Sequence, residues 1–127
     1  MDVLKAKQII FNNSQISENS FIYNLHEKCL FSEELFGEYY DSIATLVRNR
    51  DTKSLEVENQ ITDVYLKVLK YLVFHFDPDD NYIMSGIPKE YIGVIERLEY
   101  ALLAYRNSSE KLLSEDIFEM KRKRVET

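Results

Sequence analysis

The chain has 127 residues, 45% of them apolar and 30% charged, with nine tyrosines, seven phenylalanines and no tryptophan. That length favours one domain burying roughly two-thirds of its unfolded surface, and the composition excludes a disordered chain. The net charge of −6, from 22 acids against 16 bases, repels free nucleic acid and attracts a basic protein.

The N-terminal segment is the weakest in pattern. Val3, Ala6 and Ile10 fit a short helix, although the run Gln8-Ile9-Ile10-Phe11 also suits a strand. Residues 12–19 read as a polar loop. Ile22, Leu25 and Cys29 then fit a helix over about 17–30.

Three stronger helices follow. The first opens at Ser32 as N-cap, with Glu33 and Glu34 against the positive helix end. Phe36, Tyr39, Tyr40, Ile43, Leu46 and Val47 form its apolar face, and Arg48-Asn49-Arg50 ends it. The second starts at Thr52 or Ser54 and stops before Asp77-Pro78, because a residue preceding proline is driven out of the helical region. Its core stripe is Ile61, Val64, Tyr65, Val68, Leu72 and Phe76. From Leu66 onward it is apolar on nearly every side, which predicts a central helix packed on several faces. The third starts at Pro88 and carries Tyr91, Val94, Ile95, Leu98, Ala101, Leu102 and Tyr105 on one face, with Tyr100 nearer the opposite side. Ser108 and Ser109 can cap a further segment with Leu112, Leu113, Asp116, Ile117 and Met120 on one side. The expected fold is all-α, a single-domain bundle of about five or six helices over residues 1–127, with a basic tail from about 121 to 127.

Lone Cys29 forms no internal disulfide and fits a reducing compartment. The start, MDVLKAKQII, lacks the pattern of a signal peptide, and the apolar stretch 64–76 is too short to span a bilayer. A cytoplasmic location without membrane contact is the expectation. The triplets at Asn12 and Asn107 read as turn and cap chemistry rather than glycosylation sites.

The segment between the last two strong helices, HFDPDDNYIMSGIP (residues 75–88), holds both prolines and three aspartates. Asp77, Asp79 and Asn81 match positions 1, 3 and 5 of a calcium loop, but the required glycine and glutamate are replaced by Tyr82 and Pro88. Asp79 and Asp80 lie in a solvated turn without the apolar pocket that pushes paired carboxylates apart in pKa. His26 and Cys29, three apart, have the spacing of a nucleophile–base pair but no third orienting group; a buried thiol beside a surface histidine is the commoner arrangement. His75 is expected to point inward, bonded to a backbone carbonyl. Two histidines and one cysteine make a poor zinc set, and no GxGxxG, P-loop or HExxH is present. No metal or cofactor is expected. The bases Lys121-Arg122-Lys123-Arg124 complement a helix end more simply than they form a targeting signal.

Two readings of residues 75–88 remain. In one they connect two helices, with Ile83, Met84 and Ile87 packing back on the core. In the other they form a recognition surface, since long loops in compact domains are often functional and carboxylates with tyrosine suit a basic partner. Its first candidates are Asp77, Asp79, Asp80 and Tyr82, followed by Glu33, Glu34, Glu38 and Asp41 at the acidic start of the first strong helix.

The region VYLKVLKYLVFHFDPDDNYIMSGIPKEYIGVIERLEYALLAY (residues 64–105) resembles the small, acidic, helical immunity proteins of bacterial toxin and contact-dependent growth inhibition systems. The resemblance is one of size, acidity, helices and an Asp/Tyr loop, over about a third of the chain. It implies a non-enzymatic protein that binds and neutralises a cognate toxin, a basic nuclease. In the colicin-type members an acidic helix and a tyrosine-bearing segment clamp the toxin. Their paired tyrosines are not matched in the loop, and Tyr39-Tyr40 falls on a core stripe. The alternative is a helical adaptor or regulatory protein-interaction module, such as a regulatory subunit or a self-associating scaffold.

Overall fold

The computed structural model describes residues 1–50 and 53–113. Among them are five α-helices and no β-strand: α1 (Val3–Ser14), α2 (Phe21–Glu27), α3 (Glu33–Arg48), α4 (Leu55–Phe76) and α5 (Tyr91–Asn107), with a 3-10 turn at Glu110–Leu112. The basic run 121–124 and the apolar residues beyond Leu113 lie outside the described residues.

Four of the helices begin with a side chain that accepts a backbone N–H of the first turn: Asp2 for α1, Ser20 for α2, Ser32 for α3 and Ser54 for α4. Each satisfies a donor that the helix leaves open. The caps settle the N-terminal ambiguity: Gln8-Ile9-Ile10-Phe11 is helical. They also correct the loop expected over 12–19, since α1 runs to Ser14 and Asn13 is buried. Asn13 donates from Nδ2 to Ile9 O (2.9 Å) and accepts Ile22 N–H at Oδ1 (3.1 Å), stapling α1 to α2. The second helix is shorter than its apolar spacing suggested, because the chain turns at Ser17–Ser20 and Ser20 caps the helix.

Helix α5 begins at Tyr91 rather than Pro88. Glu90 holds non-helical dihedrals at the N-cap without a side-chain cap, and Pro88-Lys89-Glu90 form the lead-in. At the other end Ser108 takes a left-handed conformation (φ +51°), and Ser109 N–H returns to Ala104 O at 3.0 Å. That closes the last turn.

The central helix is α3, not α4. Helix α3 packs against α1, α2, α5 and the 3-10 turn. Its whole expected stripe is buried, and so are Gly37, Ser42 and Ala44 on the flanks. Phe21, Phe31 and Phe36 meet beside it with ring centroids 5.2–5.7 Å apart. Helix α4 packs against α1, α2 and α5 but leaves one side to solvent, where Leu66, Val73 and Phe76 are exposed. The all-round apolar pattern of α4 therefore reflects a core face plus an apolar face that no other described element covers. No helix among the described residues is long and apolar enough to cross a membrane.

Candidate partner-binding surface

The 77–90 segment is tied down at several points. Asp80 N–H bonds Asp77 O (3.1 Å), closing a turn. Within it Asp77 Oδ1 accepts Asp79 N–H (2.9 Å), and Asp80 Oδ1 accepts Tyr82 N–H (2.8 Å). These are short-range side-chain turns of the kind aspartate favours. Each engages one oxygen of its carboxylate. Asp77, Asp79, Asp80 and Asn81 are all exposed.

The anchors behind the turn are Tyr82, Met84 and Ser85. Tyr82 stacks on Tyr71, with centroids 5.7 Å apart and planes at 23°, and its hydroxyl donates to Leu25 O at 2.6 Å. Burial, with Cys29 and Tyr71 adding to it, holds that hydroxyl well above the usual tyrosine value. Met84 is buried, and its N–H bonds His75 Nδ1 at 2.9 Å. His75 is half-buried rather than a core residue, and it accepts from a backbone amide instead of donating to a carbonyl. Of the three residues expected to pack back on the core, Met84 and Ile87 do so, whereas Ile83 is 72% exposed.

Ser85 joins the loop to the start of α3. Phe31 N–H bonds Ser85 O and Ser85 N–H bonds Cys29 O, both at 2.8 Å, forming an isolated parallel bridge between Leu30 and Ser85. Gly86 follows at φ +75°, where a Cβ would lie 2.8 Å from Phe31 O. Left-handed backbone and close approach both require glycine here.

The bridge brings the two acidic groups of the sequence to one end of the bundle. Ser32 caps α3 immediately after it, and Glu33 and Glu34 fill the first turn. Glu34 is exposed; Glu33, Glu38 and Asp41 are partly buried. Glu34, Glu38 and Asp41 fall at i, i+4 and i+7, so they share one helix face. The two groups differ electrostatically. Glu33 and Glu34 oppose the positive end of α3, which offsets their field. Asp77, Asp79 and Asp80 follow the negative C-terminal end of α4, which adds to theirs. Local helix preference runs against acids at that place.

His26 and Cys29 are not arranged as a reacting pair. His26 Nδ1 lies 2.7 Å from Tyr71 Oη and Nε2 lies 3.5 Å from Glu27 Oε1, while Cys29 sits beyond the end of α2 at φ +49°. Among the described residues no group of three or more His, Cys, Asp or Glu is placed to hold a metal ion.

A second surface went unnoticed in the sequence. Leu69, Leu72, Val73, Phe76 and Asp77 of α4 and its C-cap, with Tyr91 and Ile95 of α5, line an open groove of about 650 Å³. Its signal was present: Leu66, Leu69, Val73 and Phe76 recur at helical spacing as a second stripe beside the core stripe.

No family model matches the chain, and no curated protein or solved structure matches it either.

Proposed function

We propose that this protein is a non-enzymatic inhibitor of the immunity type, which binds a basic protein toxin, a nuclease, and covers its anionic-substrate site inside the cell. The observation that carries this reading is the placement of Asp77, Asp79 and Asp80. They stand on a loop fastened by Tyr82, Met84 and Ser85, at the negative end of α4, beside the acidic start of α3. Exposed carboxylates on a fastened loop mimic a phosphate backbone at low ordering cost and speed encounter with a basic partner. Tyr82 acts here mainly by holding the loop. The contact residues are the three aspartates, with Glu34, Glu38 and Asp41 on the adjoining face and Glu33 at its edge.

The test is capture of partners from the native host by the tagged chain at low and moderate salt. The captured protein is then expressed with and without this chain. The reading expects one basic protein that arrests growth alone and is released by salt or by the triple change of Asp77, Asp79 and Asp80 to Asn. Unchanged capture and salt dependence in that variant would remove the loop from the interface. Capture of the chain by itself alone would favour the second reading, a self-associating helical module, which the exposed α4–α5 groove supports.

A further inference from the structure

We propose that the α4–α5 face is a homodimer interface in which two copies pair face to face about a two-fold axis running along the helices. The inference does not rest on toxin binding, although Asp77 at the C-cap of α4 also lines this groove, and the variants that test it leave Asp77, Asp79 and Asp80 unchanged.

The face is apolar at its centre. Leu66, Val73, Phe76 and Ile92 are exposed by 56, 64, 51 and 60%, and Leu69 and Ile95 line the groove between them. Contiguous apolar surface of this kind on a small acidic domain marks an interaction site. The charges at its edges indicate which partner. Lys70, whose ammonium lies 5.7 Å from the centre of the Phe74 ring, follows Leu66 by one turn at the outer edge of α4, and half-buried Glu96 follows Ile92 by one turn at the outer edge of α5.

Their heights along the bundle coincide. Phe76 and Tyr91 pack with centroids 4.8 Å apart, which sets the register of these antiparallel neighbours. Lys70 is then about 9 Å back along α4 and Glu96 about 7.5 Å forward along α5, at 1.5 Å per residue. Farther along, Arg106 Nε bonds Glu58 Oε2 at 3.3 Å, so the two helices stay side by side over this length.

A two-fold axis parallel to the helices keeps height and exchanges the two edges. It therefore sets Lys70 of each copy opposite Glu96 of the other, with the apolar stripes between, as an isologous contact demands. An axis across the helices would instead pair Lys70 with Lys70. The product is a four-helix arrangement of α4 and α5 from both copies. The face is about 15 Å long, small for an interface, so the dimer is reversible rather than obligate.

Sedimentation velocity of the full chain from micromolar to millimolar concentration tests this. The expected result is a monomer–dimer equilibrium. Val73→Glu should shift it to monomer with unchanged helicity, and with an unchanged melting temperature at concentrations where both chains are monomeric. Lys70→Glu should weaken dimerisation by about threefold or more, and Lys70→Glu combined with Glu96→Lys should restore it, as rim pairs of modest strength do. A monomer at every concentration overturns the proposal. So does a dimer indifferent to Val73→Glu, or a double swap no better than the single one. A monomer that Val73→Glu destabilises would show that the face is covered within one chain, which also overturns it.

Discussion

Helix α3 buries nine of its sixteen residues, whereas α4 buries five of its twenty-two, although α4 carries the more apolar sequence over its second half. The difference lies in their neighbours. Helix α3 has α1 on one side, α5 on another, and α2 and the 3-10 turn at its ends. Even small residues such as Gly37, Ser42 and Ala44 are enclosed there. Helix α4 lies at the margin, so part of its apolar surface meets solvent. Apolar content reports a need to be covered; it does not say by what. In α3 the cover is this fold, and in α4 part of the apolar surface is covered by no other described element.

The largest effect that tests this contrast comes from paired truncations. Ile43 in α3 is fully buried and Val73 in α4 is 64% exposed. Ile43→Ala should lose about 2–5 kcal/mol of stability, through lost transfer energy and a cavity. Val73→Ala should stay within about 0.5 kcal/mol at low protein concentration. Urea denaturation of both variants decides it, and equal losses would mean that the α4 face is covered within the chain.

A smaller effect is expected where the α4 loop meets the start of α3. Gly86→Ala should cost about 1–3 kcal/mol, because alanine pays for the left-handed backbone and its Cβ strikes Phe31 O. The loss should be accompanied by faster amide exchange at Phe31 and Ser85, whose bonds form the bridge. A silent substitution would show that the bridge does not hold the acidic loop to α3.

The smallest effects concern two tyrosines, one on each side of the comparison. Burial raises the pKa of Tyr39 in α3 and of Tyr82 in the α4 loop. Both stay protonated in the fold, while the unfolded chain begins to lose those protons near pH 10. The folded state then holds more protons than the unfolded one, so their stabilisation is complete below pH 10 and falls as pH rises beyond it. Tyr82→Phe should cost about 1 kcal/mol at neutral pH, since it deletes the bond to Leu25 O. The Tyr39 hydroxyl is buried with no hydrogen-bond partner among the described residues, so Tyr39→Phe should be neutral or stabilising by up to about 1 kcal/mol. Both variants should flatten the alkaline fall, and melting curves between pH 7 and 11 would show whether they do.

Much of the candidate surface was legible because its cues are local. The carboxylates of Asp77, Asp79 and Asp80 follow a helix that must stop before Pro78, and a polar turn after a helix end is exposed. The role of Tyr82 was not legible. A tyrosine beside acids reads equally as a contact or as an anchor, and its stacking on Tyr71 and its bond to Leu25 O involve partners distant in sequence. The adjacency of the loop to Glu33 and Glu34 was hidden for the same reason, since the Leu30–Ser85 bridge joins residues 55 apart.

By itself the sequence determined the helical class, the Ser32 cap and the buried stripe of α3, because helical period and N-cap chemistry act within a few residues. Tertiary structure alone decided that α3 rather than α4 is central, that Asn13 is a buried staple, and that Ile83 faces solvent. Those outcomes depend on which helices enclose a given face, and that follows from contacts between segments far apart in the chain.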